Sequence, residues 1–282
     1  MLPEIEIPRV LPVSSLSLSG MTLLRKCPLK WKRRYIDGEY EPPSGKMICG
    51  SAAGAAEATN YQLKIVSGVD LSRDDVLDAY ADEWNERVRR DEIAWGDDKP
   101  DDIRTTGQAA LELYHDTIAP TVRPVSVERE FVLRFSEAEW TFKGFLDLEE
   151  DDGAVGDLKM KGKALSQAEA DSDPQPSSYL LARRAEHHDG YGPAPAGFRF
   201  HVMTRTRRPA ANVVTTERTD EQLDAFLHRI YAAAAEIHWR AEFEVWDGAP
   251  RDAWWCSQRS CGFWSSCPLG GAGRRVREAV AS

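Results

Sequence analysis

The chain has 282 residues, 42% of them hydrophobic, and a formal net charge of -10 from 36 Lys and Arg against 46 Asp and Glu. That length and apolar content suffice to bury a full core in one large domain. The acidic surplus argues against a protein that coats nucleic acid, because non-specific binding depends on basic side chains displacing counterions from phosphates. An enzyme acting on nucleic acid stays open, since it needs only a local basic track.

The opening Met1-Leu2-Pro3-Glu4-Ile5-Glu6 has no basic start followed by an apolar run, and no later stretch reads as a membrane span. The expectation is a soluble, cytoplasmic protein with no membrane partner. In a reducing compartment the five cysteines read as metal ligands or buried thiols and not as disulfides. Two basic clusters, Lys26 to Arg34 and Lys159 to Lys163, read by themselves more as solvated faces than as DNA contacts.

In chain order, a helix capped by Ser17 or Ser19 runs through Leu23, Leu24, Cys27 and Trp31, interrupted by Pro28. A second starts near Gly50 and carries Ala52, Ala53, Ala55 and Ala56, small enough for another element to approach closely. Ser72, with Asp75 three residues on, opens a third bearing Val76, Tyr80 and Trp84, and a fourth covers about Asp102 to Ile118. After Pro120 the period changes to two: Val125 to Phe135, Trp140 to Leu148 and Ala154 to Lys159 read as consecutive strands. A helix from about Pro176 to His187, a strand around Phe198 to Thr204 and a helix from Asp220 to about Ala241 follow. The order predicts a mixed α/β architecture: a mixed central sheet, mostly antiparallel, flanked by helices. We expect a single domain over 1–282: a helical N-terminal region over 1–120, a core of sheet and helices over 121–244, and a C-terminal cysteine segment over 245–282.

The stretch Gly144-Phe145-Leu146-Asp147-Leu148, an acidic turn, and then Gly156-Asp157-Leu158-Lys159 carries the chemistry. On adjacent strands of a hairpin, Asp147 and Asp157 lie at one end of the sheet, where two carboxylates repel unless a divalent cation joins them. Mg2+ or Mn2+ accepts such hard oxygen ligands and keeps waters, one of which can act as nucleophile. Lys159, two residues from Asp157, points to the same face, where its ammonium can orient that water or stabilise charge on a phosphate. Taken alone, the Asp-x-Lys tripeptide is so common that it reads first as a surface salt bridge on an exposed acidic hairpin. Gln175 and Tyr179 sit one turn apart at the start of the next helix.

The series Gly-x-x-Asp, Asp-x-Lys, Gln-x-x-x-Tyr resembles the motifs of RecB-type nucleases in the PD-(D/E)XK superfamily. The resemblance covers about Ser17 to Cys267 and implies a restriction-endonuclease-like core. It also implies a metal-dependent DNA exonuclease, with Asp147 and Asp157 as metal ligands and with Lys159, Gln175 and Tyr179 in the catalytic set. Cys256, Cys261 and Cys267, together with Cys27, are similar to the one-plus-three arrangement of the iron-sulfur members, which include AddAB-type helicase-nucleases and CRISPR-associated exonucleases. Four thiolates there hold a structural 4Fe-4S cluster. Zinc in a tetrahedral site is the alternative. Cys49 reads as a buried thiol.

Two departures stand out. The family's Gly-x-x-x-His motif is Gly50-Ser51-Ala52-Ala53-Gly54 here, so glycine occupies the position of a metal-binding His; Glu57 and Glu128 are the nearest substitutes, each read first as structural. Four residues separate Cys256 from Cys261, where the family more often has two. The six histidines form no ligand-like spacing with one another, and no Walker-type phosphate loop is present, so any motor, such as a helicase or recombination partner, is a separate protein. The implied role lies in recombination, repair, or phage or CRISPR DNA processing. The competing reading is a nuclease fold impaired at Gly54 that serves as a DNA-binding or assembly module.

Overall fold

The computed structural model describes residues 7–250 and 252–271. The elements in chain order are β1 (Ser15–Leu16), α1 (Leu18–Lys26), α2 (Pro28–Tyr35), α3 (Gly45–Ser67), α4 (Arg73–Arg90) and α5 (Pro100–Thr117). Then come β2 (Pro124–Arg134), β3 (Thr141–Glu150), β4 (Val155–Lys161), α6 (Gln167–Ser172), α7 (Pro174–His188), β5 (Phe198–Thr204), β6 (Ala210–Thr216) and α8 (Asp220–Phe243). The described residues fall into two compact units. One gathers those of Met1–Pro42, Arg134–Lys143 and His228–Ser282, and the other comprises Pro43–Leu133 and Gly144–Leu227. No helix among the described residues is long and apolar enough to cross a membrane.

In the second unit, α3 starts at Ser44, whose hydroxyl accepts from Met47 N, and stops at Gly68 in the left-handed conformation, φ +78°. One face of α3 buries Ile48, Cys49, Ala52, Ala53 and Ala56 against Val76, Tyr80 and Trp84 of α4 and Ile103, Ala110, Leu111 and Tyr114 of α5. Gly107 of α5 lets these helices close up, because a Cβ there would lie 2.3 Å from Cys49 Sγ. Cys49 is buried beside Tyr80 Oη at 3.5 Å, as a packed thiol.

The sheet has six strands in the order β1-β3-β4-β5-β6, with β2 also on β3. The β3–β4 and β5–β6 pairs are antiparallel, whereas β4 and β5 are parallel over their whole length, from Val155↔Phe198 to Lys161↔Thr204. The sheet is therefore mixed and flanked by helices, the fold class expected from the sequence, and its parallel β4–β5 pair is the feature that the run of strands did not itself predict. The reason is the crossover: α6 and α7 connect β4 to β5, and a helical connection returns the chain in the same direction.

Four further features differ from the expected ones. α3 begins at Gly45 and not near Gly50, and α7 begins at Pro174 behind the cap Asp173. The strand β6 is absent from the sequence pattern: its β-branched run is only Val213 to Thr216, preceded by Arg and Pro. α6 is a short helix closed by a capping box between Ser166 and Glu169.

In the first unit, α1 and α2 meet at Cys27, which ends one helix and caps the next, its Sγ accepting from Lys30 N at 3.4 Å. Trp31, 1% exposed, stacks on Trp246 with ring centres 5.7 Å apart. Lys30 pairs with Glu41 at 2.6 Å, Lys32 with Asp37 at 2.7 Å and Arg33 with Glu39 at 2.5 Å. Three charges of the Lys26 to Arg34 cluster are thus engaged within their own unit.

Candidate active site

The site is built on the β3–β4 hairpin of the second unit. Its register pairs Leu148 with Gly156, and one step further sets Asp147 opposite Asp157, whose carboxyl groups share a hydrogen bond. Within β3, Gly144 leaves room for the Phe131 ring, since a Cβ there would sit 2.8 Å from it, and Phe131 packs edge-on against Tyr179, with ring centres 6.1 Å apart. Lys159 lies on the same strand face as Asp157, its Nζ 3.0 Å from Oδ1 and 2.8 Å from Oδ2.

Asp173 caps α7 by accepting from Gln175 N at 2.9 Å, which fixes the first turn of the helix over the hairpin. Gln175 Oε1 accepts from Lys159 Nζ, and its Nε2 donates to Asp157 Oδ1 and, at 2.9 Å, to Tyr179 Oη. Tyr179 Oη in turn donates to Asp147 Oδ1 at 3.1 Å. Asp147, Asp157, Lys159, Gln175 and Tyr179 therefore close one ring of polar contacts, and all five residues singled out in the sequence come together.

Asp157 is 2% exposed. Burial raises its carboxyl well above the usual carboxylate range, the Lys159 ammonium opposes the rise, and the charge of Asp147 adds to it. Asp147 is raised by burial and by the charge of Glu128 against the hydrogen bond from Asp157. Glu128 is itself raised, by burial and then by the charge of Asp157.

These groups line a cleft of about 620 Å3, whose opposite wall is the small-residue face of α3, including Gly50, Gly54 and Ala58. A Cβ on Gly54 would meet nothing within 4 Å, so the position faces open space. Glu57 turns the other way: it is fully buried, 3.4 Å from His115 Nδ1 and accepting from Asn60. Glu128, in contrast, lines the cleft beside the two aspartates.

The donor set fits a hard divalent cation. It offers the carboxylates of Asp147 and Asp157, joined by a hydrogen bond on the hairpin and beside Glu128, all hard oxygen donors of the kind such a cation takes. Among the described residues, however, no three His, Cys, Asp or Glu side chains are drawn closely enough around one point to hold an ion. The same holds for Cys27, Cys256, Cys261 and Cys267, all free thiols of the first unit. Cys27 is raised chiefly by burial and further by the nearby Cys261 and Cys267. Trp255 Nε1 donates to Lys26 O at 3.2 Å, which brings the chain next to Cys256 beside that next to Cys27.

The family model described as the PD-(D/E)XK nuclease superfamily matches residues 15–268. Among solved structures, the chain is similar to a candidate exonuclease from Eubacterium rectale, with a TM-score of 0.54 and 12% identity over 86% of this chain and 87% of that one. At that identity the likeness is one of fold. No curated protein matches the sequence.

Proposed function

The chain belongs to the PD-(D/E)XK nuclease superfamily, and on that premise we propose that it is a divalent-metal-dependent DNA exonuclease of the RecB-like branch. The ring of contacts joining Asp147, Asp157, Lys159, Gln175 and Tyr179 on one cleft carries the reading.

Asp147 and Asp157 would hold Mg2+ or Mn2+, and the bound cation supplies charge neutralisation and a more acidic water. Lys159 places its positive charge where negative charge develops on the attacked phosphate. Gln175 fixes Lys159 and Asp157 together, and Tyr179 orients Asp147. Hydrolysis adds the elements of water across one P–O ester bond of the DNA backbone. In this reading Cys27, Cys256, Cys261 and Cys267 hold a structural 4Fe-4S cluster. A donor set of four free thiols in one unit supports it. Any helicase or recombination partner is a separate chain, and the biological setting is recombination, repair, or phage or CRISPR DNA processing.

The test is digestion of end-labelled single- and double-stranded DNA with Mn2+ and with Mg2+, beside a closed circular control. The reading expects release of short products from linear DNA, intact circles, and loss of activity in Asp157→Ala. Lys159→Ala should be slower by about a hundredfold. Linear DNA left uncut by the wild-type protein under all these conditions favours the second reading, a nuclease fold impaired at Gly54 that binds DNA without turning it over.

A further inference from the structure

The first turn of α7 carries Gln175, and the guanidinium of Arg218, just past the end of β6 at Thr216, ties that turn to the sheet. Arg218 Nε donates to Ser177 Oγ at 3.1 Å, Nη1 to Thr216 Oγ1 and Glu217 O, each at 2.7 Å, and Nη2 to Asp173 O at 2.8 Å and Ala170 O at 3.2 Å. A guanidinium has five N–H donors, and each of them here has an acceptor. Two of the acceptors flank Gln175 along the chain: Asp173 is the N-cap of α7, and Ser177 is a buried residue of its first turn. Ala170 lies in the last turn of α6, and Thr216 Oγ1 itself donates to Asp171 Oδ1 at 2.7 Å, so the α6–α7 junction is held from the end of β6.

The same sheet carries the site. Phe200 of β5 pairs with Val214 of β6 on one side and with Asp157 of β4 on the other. Gln175, whose amide spans Asp157 and Lys159, is thereby fixed between those two partners and the Arg218 grip. Charge does not account for the grip: a cation is unfavourable beside the N-terminus of α7, and burial draws the Arg218 pKa down. Its planar fork does, because an ammonium of equal charge has too few donors to make these bonds.

We propose that Arg218 is a positioning residue of the nuclease site, holding the first turn of α7 where Gln175 bridges Asp157 and Lys159. The inference rests on the nuclease reading above. Loosening the junction lets Gln175 drift from its partners, and a misplacement of about 1 Å in a site group can cost roughly a hundredfold in rate.

A double-mutant cycle on the full-length protein, read as kcat and KM with linear DNA in Mn2+, tests this. Arg218→Lys keeps the charge and removes the fork. It should lower kcat by about tenfold while KM stays within about twofold of wild type, the pattern of a contact that matters in the transition state alone. In a Gln175→Ala background the same substitution should change kcat by less than about twofold, because the group it positions is already gone. A residue that only stabilises the fold would cost the same factor in both backgrounds. Ser177→Ala removes one acceptor and leaves the guanidinium in place; it should repeat the pattern with a smaller loss, and it carries the test if Arg218→Lys does not fold. A wild-type kcat in both single variants, or equal losses with and without Gln175, overturns the role of Arg218 and leaves the nuclease reading intact. Wild-type protein that cleaves no DNA overturns both.

Discussion

Gln175 Nε2 donates to Asp157 Oδ1 at 2.5 Å, and the carbonyl of the same amide accepts from Lys159 Nζ. One side chain at the start of α7 thus sets the spacing of the acidic and basic members of the site. Gln175→Ala should leave the fold intact, because the residue is not part of the core, and should lower kcat by about tenfold to a hundredfold. Gln175→Glu should not restore the rate, since it retains the acceptor for Lys159 but loses the donor to Asp157. Steady-state kinetics with linear DNA separate the cases, and a wild-type kcat in Gln175→Ala would remove the residue from the site.

The buried aspartate also makes stability depend on pH. Asp157 has a folded-state pKa well above its ordinary value of 3.8, so its contribution favours folding below that value and is lost as pH rises through the raised one. Glu150, Asp152 and Glu186 are instead lowered: burial opposes this for Glu150 and Glu186, but hydrogen bonds from His201, Arg199, Arg129 and Arg183 outweigh it. The stability they add disappears only in acid. His115, raised by its hydrogen bond to Glu57, declines in the same direction as Asp157 when pH passes its ordinary 6.5. Comparing wild type with Asp157→Asn cancels these shared effects. In EDTA, the melting temperature of Asp157→Asn relative to wild type should climb as pH rises from 3.8 toward the raised folded-state value, and Mn2+ should stabilise wild type alone. A difference that stays flat across that range would mean that Asp157 is not held protonated by burial.

That Asp147, Asp157, Lys159, Gln175 and Tyr179 come together was legible because each motif is local and its chain order fixes its place in the sheet. Asp147 and Asp157 flank one turn, Lys159 follows at strand period, and Gln175 and Tyr179 share a helix turn. What was not legible is non-local. The parallel β4–β5 pairing follows from a crossover through α6 and α7, which no window of sequence contains. β1 is only two residues long, too short for any period, and β6 is partly masked by the polar Arg-Arg-Pro before it. Glu57 and Glu128 were equivalent as letters. Only the packing of α3, which turns Glu57 toward His115, and the left-handed φ of Glu128 distinguish them.

Gly54 offers a gain-of-affinity experiment. A side chain there enters open space on the wall facing Asp147 and Asp157, and glycine inside a helix costs roughly 0.5 kcal/mol relative to an ordinary residue. Gly54→His should therefore melt slightly higher than wild type and bind Mn2+ more tightly, by about tenfold if the imidazole reaches the cation. Calorimetry and a melting curve read both effects. Higher stability with unchanged affinity would show that this face of α3 lies beyond reach of the cation.

The last experiment concerns the cysteines, and the structure makes it unusually clean. Cys27 is the N-cap of α2, its sulfur accepting from Lys30 N at 3.4 Å. Serine is among the best N-cap residues, so Cys27→Ser preserves or improves the local helix start while removing a soft metal ligand. Any loss of stability then reports on what the thiol binds and not on the cap. If Cys27 shares a 4Fe-4S cluster with Cys256, Cys261 and Cys267, the cluster closes a loop of more than two hundred residues, and its loss releases that constraint. Cys27→Ser purified without oxygen should be pale, poor in iron and lower in melting temperature. Cys49→Ala should keep the wild-type iron content, because Cys49 packs against Tyr80 in the other unit. About one zinc and no iron in the wild-type protein would replace the cluster with a tetrahedral zinc site. Wild-type protein carrying neither metal, with Cys27→Ser as stable as its parent, would reduce the four thiols to ordinary packing residues.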